Sequence, residues 1–429
     1  MVDDRPTVLL TYDRGAAGPV EIMRELADLA DLVVLLRSGP DPLASFFLEQ
    51  ASCYFLDAEP LPDLIARLRR HNPAGVLTYS ESMLAVTAQI AHQLHLRFHA
   101  PSTAEALTNK SVQRARLRAA GLDSTRSCLV AVEEDWPAAA AQVGLPCVLK
   151  PVRGEGSRNT HRVETMQQGA GIVAELFADS TSVPLVAEEL LIGRDNEPFG
   201  DYVSVETLVV DGASQHLGVT GKLPLVAPFR ETGAFWPSTL PVEEEAAIRE
   251  LTSRALQALG VRDGICHTEL KLTPTGPRII EVNGRLGGFV QELVLRAGGI
   301  NLLRVAADIA LGRQRLPVPM SQVEQVSYQF SNLPPPNATR LLARSGGAEV
   351  SRLPGVHSYR AFYRPGDRLA GGVGTDELDL LRGAAADHLS MLAVIRQALD
   401  AVTFDLELDG QLRQTLRGSE LPSAQALHR

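Results

Sequence analysis

The stretch HTELKLTPTGPRIIEVNG, residues 267–284, decides how this chain is read. Its centre, Thr273-Pro274-Thr275-Gly276-Pro277, is a turn, and the flanking runs pair as antiparallel strands about Thr275. That register sets Glu269 opposite Glu281 and His267 opposite Asn283. Like charges directly across a strand pair destabilise it. Two carboxylates roughly 5 Å apart repel by about 3 kcal/mol at an effective dielectric of 20, a sizeable share of a domain's net stability. Either one carboxyl takes up a proton or a divalent cation sits between them. Asn283 follows Glu281 by two and shares its face, which adds a neutral oxygen to two anionic ones. Such a set, open on one side, suits Mg²⁺, with Mn²⁺ as the alternative, bridging to substrate phosphates. His267 on the same face reads as a polar neighbour to substrate. Solvation at an exposed hairpin edge would relieve the repulsion equally well, but IIEVN lies in an apolar run and the strand is expected to be half buried.

The bulk properties narrow the classes. A chain of 429 residues exceeds what one core usually organises, so several packed units are expected. A hydrophobic fraction of 45% and a charged fraction of 21% are those of an ordinary globular protein. No apolar run is long enough to span a bilayer, and the acidic start, MVDDRPTVLL, does not read as a secretory signal. A cytoplasmic enzyme is the expectation. The net charge of -10 argues against general affinity for nucleic acid or an anionic membrane. Cys53, Cys128, Cys147 and Cys266 lack metal-ligand spacing and read as reduced thiols.

Lysine usage is more telling. Of 41 basic residues only Lys110, Lys150, Lys222 and Lys271 are lysine. A chain that uses arginine elsewhere has reason to keep lysine where a compact ammonium on a flexible stem is needed, such as a phosphate site, although compositional drift gives the same count. Lys150 closes the strand VLK, and Gly154-Glu155-Gly156-Ser157-Arg158-Asn159-Thr160 follows it. Two glycines, a hydroxyl and a strand on either side suit close approach of backbone N–H groups to phosphate. Alone, such a loop is more often only a turn. Lys110 stands on the preceding helix, NKSVQRARLRAAGL, which ends at Gly121 as at a glycine C-cap.

The chain divides by pattern. PTVLLTY, LVVLLRS, CYFLDA and AGVLTYS are strand runs alternating with helical stretches, which predicts a parallel sheet flanked by helices and a Rossmann-like first domain over residues 1–115. Its first turn, DRGAAG, lacks a full dinucleotide fingerprint. Residues 116–315 change to an α+β pattern with an antiparallel sheet, and the Pro-rich SNLPPPNATR introduces a small α+β unit over 316–429. The expected class is therefore a multidomain α/β and α+β protein.

At this point the motifs make a family resemblance visible. Taken in order, the helix after Glu81, NKSVQRARLRAAGL, VLKPVRGEGSRNT, VAEELLIG, GDYVSVE, HTELKL and IIEVNGRLGG resemble the ATP-grasp superfamily, and within it most the ATP-dependent L-amino acid ligases that make dipeptides. The resemblance implies an ATP-grasp fold behind a Rossmann-like pre-ATP-grasp domain, with a hinge near 188–192, and ATP and Mg²⁺ as cofactors. It implies that Lys110 and Lys150 hold the nucleotide phosphates while Gly154, Gly156 and Ser157 close over them. Glu188, Glu189 and Leu191 match the linker that meets the adenine and ribose, and Asp201 matches a second acidic residue with the same ribose role. IGRDNEPFGDY carries extra residues here, which leaves the choice between Glu189 and Asp201 open.

Glu269, Glu281 and Asn283 match the family's magnesium ligands. Arg285 matches an arginine that stabilises the transferred phosphoryl group and the tetrahedral intermediate, with Lys150 and His267 beside it as the other catalytic candidates. Gly287 and Gly288 let backbone approach the substrate, Phe289 limits the amino-acid pocket, and Glu81 holds a substrate ammonium or simply starts a helix. The implied reaction is carboxylate–amine ligation through an acyl phosphate, with small carboxylate and amine substrates, no nucleic-acid or membrane partner, and a homodimer as a compatible assembly. The rivals are a bicarbonate-using carboxylase of the same superfamily and a nucleotide sensor without catalysis.

Overall fold

The protein is described by a computed structural model covering residues 5–39, 44–178, 183–320 and 324–427. Thr7–Thr11, Asp31–Leu36, Ser52–Phe55 and Gly75–Leu77 form the parallel sheet expected of the N-terminal segment, with Thr7–Thr11 between Asp31–Leu36 and Gly75–Leu77. The helix Pro19–Leu26 covers it through the buried Ile22 and Leu26. Lys110–Ala119 is helical, capped by the Asn109 side chain and ended at Gly121 in a left-handed conformation.

A four-stranded antiparallel sheet follows, ordered Ser127–Val130, Leu185–Glu189, Cys147–Pro151, His161–Val163. It carries Lys150 and the acidic pair Glu188–Glu189 on adjacent strands. The largest sheet has eight strands in the order Gly276–Asn283, Gly264–Thr273, Tyr202–Val210, Ala213–Lys222, Gly233–Trp236, Val326–Phe330, Asp379–Ala385, Val356–Ala361. Its last three strands come from the C-terminal segment. The units 116–315 and 316–429 thus share one sheet, and we propose the three-part division as one along the chain rather than as separated bodies. Only the three-stranded sheet Ala338–Ser345, Thr403–Leu408, Leu412–Arg417 belongs to the C-terminal segment alone. Among the described residues no helix is long and apolar enough to cross a membrane.

The hairpin at 264–283 pairs Glu269 with Glu281 and His267 with Asn283. The path to that register differs from the sequence reading. The turn tightens to Pro274-Thr275, with Thr273 paired to Gly276, and a bulge at Ile280 then restores the offset. The two differences cancel at the carboxylates. Strand periodicity separates the faces: Val203, Val205 and Val209 with Cys266, Leu270, Ile279 and Val282 pack on the helix Val242–Leu259, while Glu206, His267, Glu269, Glu281 and Asn283 take the other face.

Candidate functional site

That polar face opens on a cavity of about 490 Å³, within the range of small-ligand sites. All four lysines of the chain line it, together with Gly154, Gly156, Ser157, Glu188, Glu189, Leu191, His267, Glu269, Glu281, Asn283, Arg285, Gly288 and Phe289. All four lysines lie at this one cavity, Lys222 and Lys271 as well as Lys110 and Lys150. Glu81, Asp201 and Gly287 stand one contact back, against Arg285, Lys271 and His267 respectively.

The hairpin's outer strand, Gly276–Asn283, is a sheet edge, and the helix Lys110–Ala119 supplies its missing partners. Gln113 both donates to the carbonyl of Val282 and accepts its N–H, each at 2.8 Å. Arg114 donates to the carbonyls of Ile279 at 2.7 Å and Ile280 at 2.6 Å, which fixes the bulge. Its remaining N–H groups reach Glu188 and Asp123. Lys150 meets Glu188 from the other side at 2.8 Å. Burial alone would raise the Glu188 carboxyl, but the two cations outweigh it and hold the group down at about 2. Glu188 is thus an internal clamp between hinge, helix and Lys150. Arg114 was missed in the sequence, although it lies four residues after Lys110 and so shares its helix face.

Lys110 donates to the Gly154 carbonyl at 2.7 Å and meets Glu281 at 3.3 Å. Glu189 is held by Arg126 at 3.0 Å and Arg278 at 2.6 Å, while Asp201 meets Lys271 at 2.6 Å. Both acidic residues proposed for the ribose therefore already carry cationic partners. Arg285, 9% exposed at its side chain, bridges Glu81 at 3.2 Å and Glu155 of the glycine loop at 2.8 Å. Burial pushes the Glu81 carboxyl up to about 7 despite that arginine.

His267 has both ring nitrogens engaged, Nδ1 with Glu206 at 2.5 Å and Nε2 with Glu269 at 3.2 Å. Burial would depress the imidazole, but the two carboxylates hold it up at about 9. Burial would likewise raise Glu269, and His267, Lys222 and Arg285 reverse this and hold it low. His267 therefore stands behind Glu269 as its support. Glu206, wholly buried, was not singled out from the sequence, although a glutamate within the apolar run YVSVETLVV was a usable signal. A Cβ at Gly287 would come within 2.5 Å of His267 Nδ1, so that glycine serves contact with the histidine, while Gly288 is open to the cavity. Phe289 stacks on Phe362 of the C-terminal segment at 5.8 Å between ring centroids.

Glu269 and Glu281 face each other, and Asn283 Oδ1 beside them is buried with no hydrogen-bond partner. A buried acceptor left without a donor is costly, and a cation would satisfy it, so the residues fit magnesium. Among the described residues no group of three or more His, Cys, Asp and Glu side chains is arranged for a metal; two carboxylates and an amide are a different kind of set.

Compared with known proteins, residues 143–292 match the ATP-grasp domain family. The chain is 26% identical over 275 residues to the alanine–anticapsin ligase of Bacillus subtilis (strain 168), covering 60% of this chain and 58% of that one. It is 29% identical over 340 residues to carnosine synthase 1 of Homo sapiens, covering 72% of this chain and 40% of that one. It thus matches less than two thirds of the length of either relative. The crystal structure of an L-amino acid ligase from Bacillus licheniformis superposes with a TM-score of 0.74 at 22% identity, over 93% of this chain and 98% of that one. Residues 143–292 thus carry an ATP-grasp domain, and the chain has the ATP-grasp fold over most of its length.

Proposed function

We propose that the protein is an ATP-dependent carboxylate–amine ligase, joining amino acids or amino-acid-like substrates through an acyl phosphate with release of ADP and phosphate, in a cytoplasmic setting. The observation that carries this reading is the convergence of Glu269, Glu281 and Asn283 with Lys110, Lys150 and Arg285 on one cavity. Metal ligands, phosphate-binding ammonium groups and a guanidinium in one place suit transfer of a phosphoryl group to an anionic acceptor.

A substrate carboxylate oxygen attacks the γ-phosphorus, the bond to the bridging oxygen breaks, and ADP leaves. Lys110 and Lys150 neutralise phosphate charge that would otherwise repel the attacking anion. Glu269, Glu281 and Asn283 would hold magnesium, which would add to that neutralisation. The amine nitrogen then attacks the acyl carbon, the carbon–oxygen bond to phosphate breaks, and the amine gives up a proton. Arg285 stabilises the oxyanion that forms between these events, with Glu81 and Glu155 fixing its guanidinium. His267 keeps Glu269 oriented. Glu155 on Arg285 and the contact of Thr375 N–H with the Gly156 carbonyl at 3.1 Å hold the glycine loop over the site, which shields an acyl phosphate from water. The relatives named as ligases of alanine with anticapsin and as carnosine synthase support an amino-acid substrate.

Phosphate release from ATP and magnesium, measured with single amino acids, with pairs and with bicarbonate, tests the reading. Release that needs two amino acids is expected. Release driven by bicarbonate, or ADP binding without release under any acid, would overturn it.

A further inference from the structure

The C-terminal segment reaches the cavity through Thr375 and Glu377. Residues 375–378 are clamped in place: Thr375 N–H donates to Gly156, Thr375 Oγ1 accepts from Glu231 N–H, Leu378 N–H donates to Asn332, and the Leu378 carbonyl accepts from Phe362. Glu377 therefore lines a rigid wall between the glycine loop and the aromatic pair Phe289–Phe362. Its neighbours are accounted for. Asp376 accepts from Tyr363 Oη at 2.5 Å and from Ala370 N–H, and Glu231 meets Lys222 at 3.3 Å. Among the described residues Glu377 has no such partner. Its carboxylate accepts only from its own backbone N–H, and the charges acting on it, Asp376 and Glu231, are of its own sign. Burial, with those two charges added, pushes it up to about 7. A half-buried carboxylate in a cavity wall without a counter-charge is costly, and a cationic ligand group would relieve that cost.

We propose that Glu377 receives the cationic side chain of one substrate, so that the protein takes a basic amino acid, bearing an ammonium or guanidinium group, as one of its two partners. The attacking amine itself is a poorer fit for this carboxylate. Glu377 enters the cavity from the C-terminal segment, and the charges acting on it are Asp376 and Glu231 rather than Arg285, which sets it away from the acyl chemistry. The identity of the cation's owner as a ligation substrate rests on the ligase reading; the cation-binding wall does not.

Binding is the test. Protein loaded with ADP and magnesium is titrated calorimetrically with L-arginine and L-lysine against the neutral L-citrulline and L-norleucine. In the wild type the cationic member of each pair binds at least about tenfold more tightly, the scale of one charged hydrogen bond. The preference vanishes in Glu377→Gln, survives in Glu377→Asp, and turns toward L-glutamate in Glu377→Lys, with thermal unfolding confirming that each variant folds. Equal affinities in the wild type, or a cationic preference that survives Glu377→Gln, would overturn the proposal. A Glu377-dependent preference without phosphate release from any pair would sustain this inference and remove the ligase reading. Release without the preference would do the reverse.

Discussion

Replacing Arg114 by methionine removes a side chain that ties the hairpin bulge to the hinge. The guanidinium is 4% exposed, and Glu188 opposite it is 5% exposed, so solvent screens the pair little. Breaking a buried pair by removing one partner costs about 3–5 kcal/mol because the other charge is left behind. Glu188 retains Lys150, which favours the lower end, while the Ile279 and Ile280 carbonyls lose their donors, which adds about 1 kcal/mol each. Independently, the gap between the ordinary Glu188 value of 4.5 and about 2 corresponds to about 3 kcal/mol. Because the folded value is depressed, this contribution is present above about pH 4.5 and is lost as the pH falls toward 2. At roughly 2–4 °C per kcal/mol for a unit of this size, the total of about 5 kcal/mol means that calorimetry at pH 7 should show Arg114→Met melting roughly 10–20 °C below wild type. The wild type should also lose more stability between pH 5 and pH 3 than the variant does. A drop under about 2 °C at pH 7, or the same acid sensitivity in both proteins, would refute the clamp.

Three further outcomes follow from the geometry. Gly287→Ala drives a methyl into His267, so turnover should fall at least about tenfold while ADP affinity measured without magnesium holds, because the displaced ring supports Glu269 and not the nucleotide. Lys150→Met should weaken ADP binding by about 10- to 100-fold and flatten its dependence on ionic strength, the signature of a lost phosphate contact; unchanged affinity would take Lys150 out of the phosphate site. Phe289→Ala removes the ring stacked on Phe362 and should raise kcat/KM for a bulky amino acid relative to a small one by about 10- to 100-fold in competitive phosphate-release assays.

How far the site could be read in advance depended on local signals. The hairpin was legible because a Pro/Gly turn sits between runs of period two, and the four parallel strands because each is a short apolar run followed by a helical one. The bulge at Ile280 was not, since an extra backbone residue leaves no mark in an apolar run. The expected register survived only because the tighter turn compensated for it. Lysine stood out by being rare, and all four proved to face the cavity. Arg114 is one of 37 arginines and had no such contrast. The joining of Val326–Phe330 and Asp379–Ala385 to the central sheet is a long-range pairing, and it is what brings Thr375 and Glu377 to a cavity otherwise built by earlier residues.

The claim that matters most is that Glu269 and Glu281 face each other to hold a divalent ion beside a nucleotide. ADP affinity measured with and without magnesium, in the wild type and in the double variant Glu269→Gln/Glu281→Gln, tests it without relying on turnover. The wild type should bind ADP at least about tenfold more tightly with magnesium, and the double variant should show no magnesium effect. An equal magnesium enhancement in both proteins would contradict the account.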